Sequence, residues 1–308
     1  MQTIQIAAIL TVFNRKQKTL DCLQHLFEAV EAYNKLESRK GDVQVAVFMT
    51  DDGCTDGTAA AVRAAFADKH ITILQGTGSL FWAGGMRFAW QAAIDSGTAW
   101  DYYLLLNDDT NVFGNVFQEL FVAEAYEVRH HGRPGIVSGF TCEPGNLEKA
   151  TYGGLNFVNW TKGRQVRLQP NGQPQHIDLT NANILLVPAS VVEEIGIFHE
   201  GYQHSCADND YSMTALRHKI PVCSTAHVCG ECEYDHRSQE DEIKMLSAMA
   251  QADREKYVKA ATHSDRDYLL LVRRNMPLRY PFAVLARGIR VALPSVYHRL
   301  NSLRGVYK

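Results

Sequence analysis

Near its start the chain repeats one pattern three times: an apolar run of strand length, a polar cluster, then a segment of helical period. Ile4–Val12 runs into Thr11-Val12-Phe13-Asn14-Arg15, and Lys16–Leu36 follows with Leu20, Leu23, Leu26, Phe27 and Val30 at helical spacing. Val43–Met49 runs into Thr50-Asp51-Asp52-Gly53-Cys54-Thr55-Asp56-Gly57-Thr58, and an alanine-rich helix follows to about Ala67. Tyr102–Leu106 runs into Asn107-Asp108-Asp109-Thr110, ahead of a helix over Val116–Val128. Strand Ile71–Leu74, helix Gly84–Ser96 and strand Ile136–Phe140 fit between and after them. Strands alternating with helices predict an α/β fold with a mostly parallel central sheet flanked by helices. Ligands of such sheets bind at the carboxyl ends of the strands. Three polar clusters at those ends predict one shared cleft.

Beyond that, Thr151–Ile177 is rich in Gly, Asn and Gln and reads as hairpins and loops. Asn181–Pro188 is apolar, Ala189–Ile195 a short helix and Pro221–Thr225 a last strand. Ser238–Thr262 reads as one charged helix, and Tyr268–Leu303 as a basic amphipathic helical region interrupted by Pro277, Pro281 and Pro294. The chain of 308 residues, 46% hydrophobic, suits one large domain with an appendage. The expected division is a sheet domain over 1–235, in halves of about 1–140 and about 141–235, with a helical extension over 236–308. A net charge of −3 offers nucleic acid no general attraction. Seven cysteines without a regular framework suit a reduced setting. There is no signal segment and no apolar run of the ~20 residues a membrane span needs, so the expected location is the cytoplasm.

The clusters carry chemistry as well as position. Gly53 permits a sharp turn, Asp56 or Thr55 can cap the next helix, and a carboxylate there can accept from a base N–H or from ribose hydroxyls. Two adjacent acids at the end of a buried strand, Asp108 and Asp109, are costly unless a cation joins them. Mg²⁺ and Mn²⁺ prefer such oxygen ligands together with substrate phosphate oxygens. Each cluster taken alone can also be read as a capped, solvated turn.

Together these features resemble glycosyltransferase family 2, whose members are inverting enzymes of the GT-A fold; the likeness covers roughly residues 4–230. That resemblance implies a nucleotide-diphosphate sugar donor, UDP- or dTDP-linked, with a saccharide or lipid-linked acceptor. It implies that Thr11 and Phe13 line the base pocket beside Arg15, that Asp52 takes the base N–H, that Asp108 serves ribose or metal, and that Asp109 holds Mn²⁺ or Mg²⁺. In Gly76–Arg87, Gly84 and Gly85 would let the backbone approach the donor, Arg87 would pair with the diphosphate, and Trp82 is a sugar platform or a packing aromatic. Cys206-Ala207-Asp208-Asn209-Asp210-Tyr211 aligns Asp208 with the family's general base, although Ala207 and His199 replace the usual Glu and Asp. His227 matches a histidine that ligates the metal or touches the diphosphate. The Cys229-x-x-Cys232 pair flanked by His227 and His236 also admits a structural zinc.

After Asp267 the sequence has no acidic residue but carries Arg273, Arg274, Arg279, Arg287, Arg290, Arg299, Arg304 and Lys308. Peripheral attachment to an anionic membrane and packing against the catalytic domain or a second subunit both fit this pattern. Two other functions fit the whole chain: a metal-dependent nucleotidyltransferase, or a nucleotide-sugar-binding protein without catalysis.

Overall fold

The computed structural model describes residues 3–160, 163–234, 238–260, 262 and 265–303. The chain divides into two compact units, Met1–Glu200 with Asp208–Tyr234, and Gly201–Ala207 with Asp235–Lys308.

The first unit opens β1 (Thr3–Val12), α1 (Lys16–Asn34), β2 (Asp42–Asp51), α2 (Thr58–Ala65), β3 (Ile71–Gln75), α3 (Phe81–Asp95) and β4 (Tyr102–Leu106). It continues through β5 (Asn111–Val112), α4 (Val116–His131), β6 (Ile136–Glu143), β7 (Asn146–Tyr152), β8 (Leu155–Asn159), β9 (Arg164–Arg167) and β10 (Gln175–His176). β11 (Ile184–Pro188), α5 (Ala189–Ile195), α6 (Ala207–Arg217) and β12 (Val222–Glu231) complete it. The main sheet runs β10-β12-β6-β11-β4-β1-β2-β3. β3, β2, β1 and β4 are parallel, as are β6 and β12, whereas β11 lies antiparallel between β4 and β6. The α/β expectation, a mostly parallel sheet flanked by helices, therefore holds. All five residues of β4 are buried, as an inner strand covered on both faces requires.

Three elements differ from expectation. β12 continues past Thr225 to Glu231 through irregularities of register around Val228. Thr225 makes this possible: its hydroxyl accepts from the Phe140 N–H at 3.0 Å and donates to the His227 carbonyl at 2.9 Å, replacing ladder bonds where the strand bulges. α3 starts at Phe81, ahead of the glycine pair. The helix expected over Ser238–Thr262 is two, α7 (Gln239–Ala248) and α8 (Gln251–Lys259), separated by extended Met249 and Ala250. The break frees the Met249 carbonyl to accept from Arg254 Nη1 at 2.7 Å.

In the second unit these two are followed by α9 (Asp265–Asn275), a 3₁₀ turn (Pro277–Arg279), α10 (Tyr280–Ala292) and α11 (Pro294–Leu303). Buried Asp267 accepts from the backbone N–H groups of His204 at 2.8 Å and Ser205 at 2.9 Å, tying the 201–207 segment to α9. Among the described residues no helix is long and apolar enough to cross a membrane.

Candidate active site

The loops at the carboxyl ends of β1 and β2 interlock. Asn14 adopts φ +52°, a left-handed conformation that asparagine tolerates better than most residues. From there its side-chain oxygen accepts from the Thr55 N–H at 2.7 Å, and its own N–H meets Cys54 Sγ at 3.2 Å. Asp56 accepts from the Lys16 N–H at 2.9 Å and the Thr58 N–H at 3.0 Å, so one carboxylate serves the first turns of α1 and α2. Phe13, at the start of the first of these loops, is 57% exposed, and Thr11 is half-buried.

Asp52 holds the next loop. One of its oxygens accepts from the Gly78 N–H at 2.8 Å and the other from the Phe81 N–H at 2.9 Å. Each oxygen keeps a second lone pair, so this clamp leaves acceptor capacity for a base. Gly76 is required for the clamp, because a Cβ there would lie 2.6 Å from Asp52 Oδ1. Gly85 serves packing of α3 on the sheet: a Cβ would lie 2.1 Å from Thr11 Oγ1, and its carbonyl accepts from the Thr50 hydroxyl at 2.8 Å. Gly84 is buried with it. Arg87 Nη1 donates to the His199 carbonyl at 3.2 Å. Trp82 takes the packing part: its ring lies 5.6 Å from that of Phe198, and its N–H donates to the Asn107 side chain at 2.8 Å, next in sequence to the acidic pair.

At the end of β4, Arg15 Nη1 lies 2.6 Å from Asp109 Oδ2 and 3.5 Å from Asp108 Oδ1. The guanidinium thus supplies the positive charge that adjacent carboxylates demand. Asp108 remains strained electrostatically: burial, partly opposed by Arg15 and reinforced by Asp109, pushes its carboxyl up to about 7. Its Oδ2 is buried with no hydrogen-bond partner. A buried orphan carboxylate oxygen next to a second carboxylate fits a hard divalent cation. Asp109 Oδ1 lies 3.8 Å from Cys232 Sγ, and the Cys232 thiol is pushed up to about 12 by burial and by Asp109, so it remains a neutral neighbour. No group of three or more His, Cys, Asp or Glu side chains suited to a metal occurs among the described residues. A cation here would complete its shell with ligand oxygens.

Asp208 sits in the first turn of α6 and accepts from the Asn209 N–H at 2.9 Å and the Ala182 N–H at 3.2 Å. Burial raises its carboxyl to about 6, against the pull of those N–H groups. Helix α6 is anchored by an aromatic cluster in which Trp90, Phe198 and Tyr211 meet at centroid distances of 5.5 Å. Residue 183 connects this carboxylate to the acidic pair. Next to Ala182, the Asn183 carbonyl accepts from the Asn107 N–H at 3.3 Å, and its amide lies 3.4 Å from Cys232 Sγ. The strand-end reading missed Ala182 and Asn183, whose parts depend on tertiary position alone. Asn14 could have been found from its place in the Phe-Asn-Arg turn.

His227 is engaged with α4. Its Nδ1 lies 3.0 Å from Glu119 of α4, and its N–H donates to the same carboxylate. Its partner in this structure is Glu119, not the acidic pair. The zinc alternative is not assembled either: Cys229 Sγ faces the Phe140 carbonyl while Cys232 faces Asp109 and Asn183, and His236 lies outside the described residues.

No family model matches this sequence, and no curated protein matches it. Solved structures do. S. aureus TarS, residues 1–349 in complex with UDP-GlcNAc, aligns at TM-score 0.53 and 14% identity over 94% of this chain and 76% of that one. Its complex with UDP aligns at 0.51 and 15% identity, over 89% and 72%. The mannosyltransferase PcManGT from Pyrobaculum calidifontis, in complex with GDP-Man and Mn²⁺, aligns at 0.50 and 14% identity over 98% and 81%. At these identities the likeness establishes the shared fold.

Proposed function

We propose that this chain is an inverting glycosyltransferase of the family 2 type, moving a sugar from a nucleotide-diphosphate donor to an acceptor hydroxyl. The observation that carries the reading is the short bridge from the acidic pair through Asn107, Asn183 and Ala182 to Asp208, a carboxylate whose pKa of about 6 suits a general base. The exposed ring of Phe13 stacks on the base, and Asp52 accepts from it while keeping its loop in place. Arg15 and Arg87 face the diphosphate. Asp109, with Asp108, would hold Mn²⁺ or Mg²⁺, whose chemistry is to neutralise the departing nucleoside diphosphate. Asp208 takes the proton of the acceptor hydroxyl as its oxygen bonds to the anomeric carbon and the glycosidic bond to phosphate breaks. Trp82 walls the sugar between these groups. Binding of UDP-GlcNAc by TarS, and of GDP-Man with Mn²⁺ by PcManGT, supports a donor of this class and a divalent ion. The acceptor is a saccharide or a lipid-linked glycan of surface polysaccharide synthesis, and the seven free cysteines suit the reducing cytoplasm.

The test offers UDP-, dTDP- and GDP-sugars with Mn²⁺ or Mg²⁺ and scores nucleoside diphosphate release. At least one donor should be turned over, and Asp109→Ala should lower that rate by at least about tenfold. A protein that neither binds nor turns over any of them would sink the proposal.

A further inference from the structure

Helix α10 is built inside out. Its inward side carries Arg290, 3% exposed, whose guanidinium lies 2.7 Å from Asp265 and 3.0 Å from Glu242. Arg287, on the same side, lies 3.0 Å from Asp265 and stacks over Tyr268 at 4.3 Å. The residues α10 leaves exposed are Pro281, Phe282, Val284, Leu285, Gly288 and Ala292, with no polar side chain among them. Phe282 is 73% and Leu285 63% exposed, and Leu278 in the preceding turn is 89% exposed. Because 278, 282 and 285 follow helical spacing, they form one stripe. α11, the next helix, also leaves Val296, Leu300 and Leu303 exposed. A helix facing water places charges outside and apolar groups inside; this one does the opposite, so its outer face is made for an apolar medium.

Charge selects the medium. Residues 268–303 contain six arginines and no acidic residue. Arg287 and Arg290 are engaged inward, while Arg273 of α9 and Arg299 of α11 lie exposed. The neighbouring acids Glu242 and Asp265 are turned to those inward arginines, and Glu240 to Lys244. A second copy docked on the same face would set arginine against arginine, since a twofold contact meets its own residues. A bilayer with anionic headgroups meets both properties: the stripe enters the acyl boundary and the arginines meet phosphates.

We propose that α10 and α11, with Leu278, form an in-plane docking surface for an anionic membrane. This surface is independent of the sugar-transfer reading, and its test needs no substrate. The full chain is floated with vesicles of phosphatidylcholine alone or with about a third phosphatidylglycerol. Binding should favour the anionic vesicles at least about tenfold and weaken in high salt. Phe282→Glu with Leu285→Glu should abolish it; Leu278→Ser, at a nearly fully exposed position, should weaken it several-fold with an unchanged melting temperature. Equal binding to both vesicle types, no binding to either, or Leu278→Ser binding like the parent would overturn the proposal. So would a concentration-dependent dimer, seen by light scattering and abolished by the double variant.

Discussion

Asp108→Asn should make the first unit more stable while disabling it. Burial, opposed by the Arg15 guanidinium, raises the Asp108 carboxyl to about 7 from an ordinary value of 3.8. A gap of about three units corresponds to roughly 4 kcal/mol, at about 1.4 kcal/mol per unit. The folded state holds this proton more tightly than the unfolded chain does. Stability is therefore full below about pH 4, declines as pH rises, and is lowest above about pH 7. Asparagine is uncharged throughout and has little to forfeit, because the Arg15 contact to Oδ1 is long at 3.5 Å and Oδ2 has no hydrogen-bond partner. The amide must still be desolvated, so about half the ceiling is expected: ~2 kcal/mol at pH 8, or a melting temperature higher by roughly 4–8 °C. Near pH 4.5 the gain should shrink to about 1 °C or less. Scanning calorimetry with chelator at both pH values measures this, and separate samples supplied with Mn²⁺ report donor turnover. A destabilised variant at pH 8, or equal shifts at the two pH values, would refute burial of a charge as the cause.

Asp208 must be ionised to accept a proton, so turnover should fall about tenfold per unit as pH drops below about 6; Asp208→Asn should lower it by ~10²–10⁴ and lose that acid limb. A pH–rate profile unchanged in the variant would remove Asp208 from the base position. Gly85→Ala places a Cβ 2.1 Å from Thr11 Oγ1 and should cost about 1–3 kcal/mol in denaturant unfolding, whereas an unchanged midpoint would mean that α3 yields freely. Arg15→Gln removes the guanidinium at 2.6 Å from Asp109. Calorimetric titration of the donor-free variant with Mn²⁺ should show at least about tenfold tighter uptake, ~1.4 kcal/mol, and equal affinity would show that Arg15 does not compete for the pair.

What could be read from the sequence was what local pattern encodes. Apolar runs of strand length became β1, β2, β4 and β6, and the polar clusters fell at the carboxyl ends of β1, β2 and β4 because a chain leaving a buried strand must turn in polar residues. Antiparallel β11 was visible only as the apolar stretch Asn181–Pro188, since nothing local says between which strands a run will insert. β12 seemed to end at Thr225 because a bulge interrupts alternation while side-chain bonds preserve the strand. The attachment of His227 to Glu119 and the clamp of Asp52 on Gly78 and Phe81 are contacts between segments far apart in sequence. Motif position named these residues, but only the fold assigned their partners.

The Ala182–Asn183 peptide has a kinetic consequence. One of its residues holds the Asp208 carboxylate and the next holds Asn107 beside the acidic pair, so the peptide works like a rocker arm between the two. Changes made on the donor side should thus shift the acceptor's KM, and changes at Asp208 the donor's, so that the two half-sites answer as one instrument.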